Sequence, residues 1–304
     1  MDLAQYTTYV GRSLPVYTVG NSPWRLYRGI LEPIAPPHMV GLVDRQEVHS
    51  VMQESGALMA RWIDGWDTDA CDWWYVCCDD PNYDIHMIPS KSRRKVIRRG
   101  LSRCEVRTIS PEEFAATGHA VYKAAVSRHA GRDHIASQEE FVKGIEKAAE
   151  LNAWEIWGAF YNGQLAAYVV CLVIEDAVIK SSSKSDPHLL KVNPNDAVSF
   201  VLTKHYIREN KARYVSSGAR SIYHETNVQN FMLTHGYRQI YCPLRVEFRR
   251  DILPIVKSGI GHWGRYLGLN KLLPGKMGKI RAACELARIA KRCQDIVGES
   301  SGSN

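Results

Sequence analysis

The chain lacks an apolar run long enough to cross a lipid bilayer, which takes about 20 residues. Its longest apolar run lies around Leu165–Ile174 and has the length of a β-strand. The N-terminal sequence, MDLAQYTTYVGRS, has no basic segment followed by an apolar one, so no signal peptide is expected. We therefore expect a cytoplasmic protein without a membrane-spanning segment.

Several catalytic and metal-binding patterns are also lacking. The sequence contains no HExxH, GxSxG or P-loop motif and no Ser-His-Asp order. The eight cysteines are scattered, none of them in a CxxC pair, and the histidines show no ligand spacing. We expect reduced, mostly buried thiols with a structural role, and no metal cofactor.

What the chain has is a globular composition and a concentrated positive charge. It has 304 residues, 45% hydrophobic and 23% charged, which is enough for two ordinary domains or one large one. The net charge of +7 comes from two blocks, residues 90–103 and 257–292, and the remainder is net acidic. Such blocks attract the phosphates of nucleotide cofactors, tRNA or an anionic membrane, or they form solvated helix faces.

The first 89 residues predict a small α/β layer. Strands are expected at 24–34, 56–63 and 72–80, and a helix at 44–55 with Asp44 as its cap. Residues 1–23 show no clear period and are interpreted as a loosely packed lead-in. The basic segment 90–103 is expected to be a helix capped by Ser90.

Residues 154–185 predict a three-stranded antiparallel meander. The sequence WEIWGAFYNGQLAAYVVCLVIEDAVIKSSSKS contains three apolar runs separated by two turns. Asn162-Gly163 is the strongest short hairpin signal, because a type I′ turn needs two residues that tolerate positive φ. Glu175-Asp176 is a weaker second turn.

From 104 to 248 the predicted order is β, α, α, β, β, β, α, β, α, β. That order is the topology of the GNAT N-acyltransferase fold, which the chain therefore resembles. The fold class expected is α/β (α+β): a mixed, mainly antiparallel GNAT-like sheet flanked by helices, preceded by a smaller partial GNAT-like half. We predict divisions at 1–89, 90–250 and 251–304, the last being a basic helical extension with a disordered tail, GESSGSN.

Two segments resemble Fem-type (FemAB-like) transferases more specifically. SRRKVIRRGLSRCEVR (92–107) is similar to their Arg-rich helix and following strand, and HETNVQNFMLTHGYR (224–238) to a helix with Phe five residues before Gly. The resemblance covers roughly residues 24–250. It implies transfer of an acyl or aminoacyl group to an amine, with acyl-CoA, an acyl carrier protein or aminoacyl-tRNA as donor.

The chain departs from these families at two places. Met232 follows Phe231 where the Fem pattern has Lys, which puts a Lys-to-tRNA contact there in doubt. GNAT proteins bind pyrophosphate on a glycine-rich turn at a helix N-terminus, but the corresponding segment here contains Pro194 and Asp196. Bound CoA would then need charge from Lys184, Lys191 or the 90–103 block.

The candidate donor site lies where the fourth and fifth strands of a GNAT fold splay apart. Here those strands, 177–183 and 213–218, both end in serines, which either line a polar cleft or are strand ends that fray into turns. The donor-binding residues expected at this cleft are Ser182, Ser183, Lys184, Lys191, Ser216 and Ser217.

The candidate catalytic residues are Tyr223, His224 and Glu225, directly after the fifth strand. A carboxylate or imidazole there can serve as general base for the amine, or it simply caps the next helix. The loop SRHAGRDHIAS (127–137) lies where acceptors bind in this fold, and the residues expected to bind an anionic acceptor are Arg128, His129, Arg132 and His134.

These patterns together predict a bacterial biosynthetic N-acyltransferase. It would move an acyl group from acyl-CoA or an acyl carrier protein to an amine of a small molecule or cell-envelope precursor. Two alternatives stay open: a Fem-like transferase that uses aminoacyl-tRNA, and a non-catalytic relative that binds polyanions. Residues 261–292 interleave aromatic and apolar residues with cations, which fits peripheral membrane contact or packing against the domain.

Overall fold

The computed structural model describes residues 1–69, 71–127, 135–151, 153–222, 227–258 and 276–301. Within these ranges the α-helices are α1 (Leu3–Gly11), α2 (Arg45–Ser55), α3 (Lys91–Leu101), α4 (Pro111–Ser127), α5 (Gln138–Ala149), α6 (Pro194–Lys204), α7 (Val228–Leu233), α8 (Leu253–Lys257) and α9 (Lys276–Ser301). A π-helical turn, His205–Glu209, continues α6.

Two sheets contain the described strands. The five-stranded sheet has the order β1 (Val16–Val19), β2 (Ser22–Tyr27), β3 (Ile30–Pro33), β4 (Met59–Ile63), β12 (Leu244–Phe248). The seven-stranded sheet has the order β11 (Arg238–Tyr241), β5 (Trp74–Cys78), β10 (Tyr214–Ala219), β9 (Ala177–Ser185), β8 (Gln164–Ile174), β7 (Trp154–Tyr161), β6 (Glu105–Ile109). Both sheets are mixed and mostly antiparallel, which confirms the predicted fold class.

The meander β7–β8–β9 is confirmed with its two turns. Asn162 and Gly163 have φ of 50° and 77°, as a type I′ turn requires, and Tyr161 pairs with Gln164 across it. Glu175 has φ of 51° in the second turn. The turns therefore set the registers of the three longest strands of the seven-stranded sheet.

The predicted helix starts at 45 and 91 are confirmed by their caps. The Asp44 carboxylate accepts a hydrogen bond from Gln46 N at 2.8 Å, and Ser90 Oγ accepts one from Arg93 N at 3.3 Å. Each cap satisfies a backbone donor that the first turn leaves unpaired.

Each sheet contains one strand from the part of the chain that forms most of the other sheet. β5 precedes the GNAT-like segment in the chain but stands between β10 and β11, whereas β12 follows that segment but pairs with β4. The end of the predicted order, residues 237–248, expected as one last strand or a bent pair, is therefore two strands, β11 and β12, which belong to different sheets. The element order from 104 to 241 is otherwise the predicted GNAT order.

The chain divides into two compact units. The first comprises residues 1–2, 76–218 and 227–238, and the second comprises 3–75, 219–226 and 239–304. In the first, Phe114 of α4 packs against Tyr168 of β8 with ring centroids 4.7 Å apart. In the second, Trp24 and Trp62 form the core with centroids 5.9 Å apart. The predicted division at 1–89, 90–250 and 251–304 stays a prediction.

Residues 1–34 and the C-terminal helix differ from expectation. Residues 1–23 contain α1 and β1 rather than a loosely packed lead-in, and 24–34 is not one strand but parts of the β2–β3 hairpin. Arg28 and Gly29, with φ of 53° and 81°, make the turn that divides it. Helix α9 continues to Ser301, into the segment expected to be disordered.

Residues 261–275, the first part of the segment considered for membrane contact, lie outside the described residues. Helix α9, which forms the rest, buries Leu286, Ile289 and Cys293 and exposes Arg281 and Lys291. Its apolar side is thus used within the second unit. Among the described residues no helix is both long enough and apolar enough to span a bilayer.

Gly100 provides a test of the packing between α3 and α6. A Cβ added there would lie 2.6 Å from Asn193 O, so Gly100→Ala should lower the free energy of unfolding by about 1–3 kcal/mol. The control is Gly278→Ala in α9, where an added Cβ has no neighbour within 4 Å. Urea denaturation measures both, and equal stabilities of the two variants would contradict the close packing.

Candidate functional site

The site begins where β9 and β10 separate. The two strands run parallel and pair at three positions, from Tyr214 with Ala177 to Ser216 with Ile179. β9 then continues through Ser185, but none of its residues after Ile179 pairs with a described residue of β10. Backbone groups that face this gap need another partner, and a bound acyl arm with amide groups can supply it.

A β-bulge lies next to the separation. Cys171 of β8 pairs with Lys180, but the next residue, Val170, pairs with Ser182, so Ser181 is an extra residue in β9. Ser181 Oγ donates a hydrogen bond to Val170 O at 3.1 Å. A bulge bends its strand and increases the local twist, which accounts for the divergence of β9 from β10.

The donor-binding residues predicted on β9 and beyond it are not all in one place. Ser182 and Lys184 line a cavity, whereas Ser183 is exposed. Lys191 is also exposed, and its carbonyl accepts a hydrogen bond from Arg103 Nη1 at 3.2 Å. The structure therefore brings only Ser182 and Lys184 of this group into a common wall.

The two predicted serines of β10 lie at the gap itself. Ser216 is buried, and its Oγ accepts a hydrogen bond from Gly218 N at 3.1 Å. Ser217 Oγ is also buried but has no hydrogen-bond partner in the structure. Because an unpaired buried hydroxyl is costly, Ser217 is suited to bind a polar group that enters between the strands.

The cavity lined by Ser182 and Lys184 has a volume of about 450 Å³. Its walls come from α4, α5 and the same face of β7, β8 and β9. They are mainly aromatic or small, with Phe114, Tyr122, Phe141, Gly144, Ala148, Trp154 and Tyr168 among them. Trp154 Nε1 is buried without a hydrogen-bond partner in the structure.

The charged residues among the described wall residues are Glu140 and Lys184. The Glu140 carboxylate accepts a hydrogen bond from Ser137 N at 2.7 Å in the capping box of α5. It is therefore engaged in holding the helix start and is a poor candidate for a base. A general base for an amine must come from elsewhere in the chain.

The N-terminus of α6, where GNAT proteins bind pyrophosphate, is closed by the protein's own groups. Asp196 in its first turn is buried, with Oδ1 2.7 Å from Arg93 Nη1 and 3.2 Å from His235 Nε2. Burial by itself would raise the pKa of Asp196, but His235 and Arg93 outweigh it and lower that pKa. The carboxylate is thus charged and repels a second anion.

Lys180 is a half-buried cation that the sequence interpretation missed. Its Nζ lies 3.4 Å from Ser199 Oγ, 3.2 Å from Met232 Sδ and 5.7 Å from the centroid of Tyr237. Burial, which penalises the charged form, lowers the pKa of Lys180 to about 8. The ammonium therefore lies beside Met232, the residue that stands in place of the Fem lysine.

The outer face of α3 is cationic. Lys91, Lys95, Arg98 and Arg99 are exposed, and the helix has no acidic residue. Their spacing of three to four residues places three of them along one side of the helix. Since α3 packs against α6 through Gly100, most of this basic face lies on the side of α3 away from α6.

Seven predicted residues lie outside the described ranges. They are the candidate catalytic residues Tyr223, His224 and Glu225, and the candidate acceptor-binding residues Arg128, His129, Arg132 and His134. Their roles stay predictions.

The residues missed by sequence reasoning gave unequal signals. Lys180 interrupts the apolar run of β9, which is unusual for a residue that becomes partly buried, so it was detectable in principle. Trp154 and Tyr168 look like ordinary core aromatics. Nothing in their sequence context indicates that they line a cavity.

A larger cavity, about 880 Å³, lies in the second unit. Its one carboxylate in the described wall, Glu32, is bound by Arg25 at 2.7 Å and Arg61 at 2.6 Å. Burial would raise the pKa of Glu32, but Arg61 and Arg25 lower it. Because this carboxylate is neutralised by two guanidinium groups, it offers no free base.

Comparisons with known proteins identify the fold. No protein-family model and no curated protein sequence matches the chain. Among solved structures, the C-terminal domain of a putative lysylphosphatidylglycerol synthetase from Agrobacterium fabrum matches with a TM-score of 0.57 and 11% identity, over 84% of this chain and 95% of that one.

Two further structures match over a similar length. FemX matches with a TM-score of 0.57 and 7% identity, over 83% of this chain and 92% of its own. L-PGS from Bacillus licheniformis matches with 0.53 and 10% identity, over 82% and 92%. At these identities the likeness concerns the fold, which confirms the predicted resemblance to GNAT-like transferases of the Fem type. Among the described residues no cluster of His, Cys, Asp and Glu could hold a metal.

The lowered pKa of the partly buried Lys180 predicts that stability rises at alkaline pH. Its folded pKa, about 8, lies below the unfolded value of about 10.4, so the unfolded chain binds more protons between these pH values. The cost of burying the charge is complete below pH 8 and vanishes above about 10.4. Lys180→Met should therefore be more stable than the wild type by on the order of 2 kcal/mol at pH 7, and equal to it at pH 10.5.

Urea denaturation across this pH range measures the difference between the two proteins. Lys191→Met, at an exposed position, is the matched control and should follow the wild type. A difference between Lys180→Met and the wild type that does not change with pH would contradict the assignment.

Proposed function

We propose that the chain is an acyltransferase that moves an acyl group from an activated donor to an amine. The observation that carries the proposal is the separation of β9 and β10 after three pairs, beside a cavity lined by Ser182 and Lys184. A donor arm that enters the gap can hydrogen-bond to the strand edges and to Ser217 Oγ. The cavity is then available for the acceptor amine.

Acyl transfer needs few groups from the protein. The amine must lose a proton, and the oxyanion of the tetrahedral intermediate needs a hydrogen-bond donor. Unpaired backbone N–H groups of β9 beyond the bulge are suited to the second task. For the first we retain the predicted cluster Tyr223, His224 and Glu225, with the carboxylate or imidazole as base. Positioning of the two substrates supplies much of the remaining rate.

The donor is inferred from charge. The diphosphate of acyl-CoA would meet the Asp196 carboxylate at the α6 terminus, and its counter-charge, Arg93, is already paired. A long polyanion can instead lie along the exposed cations of α3. This favours aminoacyl-tRNA over acyl-CoA or an acyl carrier protein.

The acceptor is inferred from the cavity. A volume of about 450 Å³ suits a small molecule or the head of a larger one. Aromatic walls with Lys184 at one side favour an amine that also carries a carboxylate or phosphate. The proposed acceptor class is therefore an anionic amine, either a free small molecule or part of a cell-envelope precursor.

A non-catalytic polyanion-binding relative is the second candidate. It is favoured by the same cationic face of α3 and by the engaged state of Glu140. In the deciding experiment, the purified protein is incubated with a panel of amines and one of two donors. The donors are acetyl-CoA with a radiolabelled acetyl group and aminoacyl-tRNA with a radiolabelled amino acid. Label transferred to an amine supports the enzyme. Binding of tRNA without transfer to any amine supports the second candidate.

Filling the cavity should block acceptor use. Gly144 lines it, and a Cβ added there has no neighbour within 4 Å, so Gly144→Trp is expected to fold. We expect kcat/KM for the amine to fall at least tenfold while donor binding is unchanged. Lys143→Trp, on the same helix at an exposed position outside the cavity wall, is the matched control. Equal effects of the two variants on turnover would oppose an acceptor role for the cavity.

The cationic face of α3 should determine the salt dependence of tRNA binding. Replacing Lys95, Arg98 and Arg99 by Ala should weaken binding and reduce the slope of log K against log salt by about 0.7–0.9 per lost phosphate contact. Filter binding at several salt concentrations measures it. The control replaces three exposed cations of the second unit, Lys257, Arg281 and Lys291. An unchanged slope in the α3 variant would exclude this face.

A further inference from the structure

Two cysteines far apart in the chain meet in the second unit. Cys71 lies in the loop before β5 and is half-buried, whereas Cys293 lies on α9 and is 1% exposed. The two thiols interact, since each one changes the pKa of the other. Cys71 Sγ also lies 3.1 Å from Trp73 O, which fixes the direction of its side chain.

The chain segments that carry the two thiols are held together by their neighbours. Asp72, next to Cys71, forms an ion pair with Arg292, next to Cys293, with 2.9 Å between Oδ2 and Nη1. Asp72 O also accepts a hydrogen bond from the guanidinium of Arg220. The thiols are therefore kept side by side by contacts that do not involve sulfur.

The surroundings favour a thiolate at Cys293. The hydrogen bond from Cys71 is the largest cause that lowers the pKa of Cys293, to about 6, and it outweighs the effect of burial. Backbone groups of Leu244, Asp72 and Trp73 lower it further. The same contact and burial raise the pKa of Cys71. At neutral pH the pair therefore shares one proton, which Cys71 holds.

We propose that Cys71 and Cys293 are a redox modification site that forms a reversible disulfide. This pair contrasts with the buried Cys284 of the same helix, whose Sγ lies 3.5 Å from Val256 O. The oxidant is a low-molecular-weight disulfide, R–S–S–R, such as oxidised glutathione. It reaches Cys71, the more accessible sulfur of the two.

The chemistry balances within the pair. Cys71 Sγ attacks R–S–S–R as its proton passes to the neighbouring Cys293 thiolate, and one R–S⁻ leaves. Cys293 then attacks the Cys71 sulfur, the second R–S⁻ leaves, and the shared proton goes to a leaving thiolate. Two protein thiols are oxidised by two electrons, and the reagent is reduced to two thiols, with a second proton taken from water.

The disulfide would tie α9 to the loop before β5. Both elements contribute to the wall of the 880 Å³ cavity, through Leu286 of α9 and through Trp73. Oxidation would therefore fix the position of one wall of that cavity relative to another. This effect is separate from the acyl-transfer site proposed in the first unit.

The test uses the full chain with a series of oxidised-to-reduced glutathione ratios. After acid quenching and alkylation of free thiols, mass spectrometry of tryptic peptides maps every disulfide. We expect the free thiols to fall from eight to six, with one link between Cys71 and Cys293 that dithiothreitol reverses. Cys71→Ser should abolish the link, and the control Cys284→Ser should retain it.

Three results would overturn the proposal: a glutathione adduct that accumulates with Cys71 and Cys293 unlinked, a link between other cysteines, or no loss of thiols at any ratio. If Cys71→Ser fails to fold, the peptide map of the wild type still decides between these outcomes.

Discussion

The limited pairing of β9 with β10 is the constraint on which the candidate site depends. Three parallel pairs hold the strands together at Ala177–Ile179, and the extra residue Ser181 turns β9 away beyond them. A sheet whose neighbouring strands remain paired has no room for a ligand between them. The bulge therefore leaves a gap between two neighbouring strands of the sheet. This gap lies beside the cavity between α4, α5 and the meander.

Electrostatics at α6 determines which ligands suit that opening. A helix N-terminus attracts anions through its unpaired N–H groups, but here the protein supplies the anion itself, as Asp196. Arg93, which belongs to the most basic segment of the chain, forms an ion pair with that carboxylate. The cations that remain exposed lie on the outer face of α3, so the positive field extends over a surface rather than into a pocket.

Much of the fold followed from local signals. Asn162-Gly163 form a turn, and Asp44 and Ser90 cap helices. Because these residues determine only the structure of their chain neighbours, their effects can be predicted from the sequence. The sequence did not predict which sheet contains β5 and which contains β12. The pairing of Met59–Ile63 with Leu244–Phe248, for example, depends on residues far apart in the chain. At the site, Ser182 and Lys184 were found as a polar strand end. Lys180 was missed although it interrupts an apolar run, whereas Trp154 could not be identified, since only the packed structure shows that it lines a cavity.

The pairing of β12 with β4 also has a consequence for biosynthesis. β4 ends at Ile63, and its antiparallel partner begins at Leu244, so the ribosome must add about 180 residues before the pair can form, roughly 10–40 s at 5–20 residues per second. During that interval the side of β4 away from β3 presents unpaired backbone groups, the kind of edge that recruits other nascent chains. The five-stranded sheet is therefore completed late in synthesis. Until β12 pairs with β4, the unpaired edge of β4 is a binding site for chaperones that act on nascent chains.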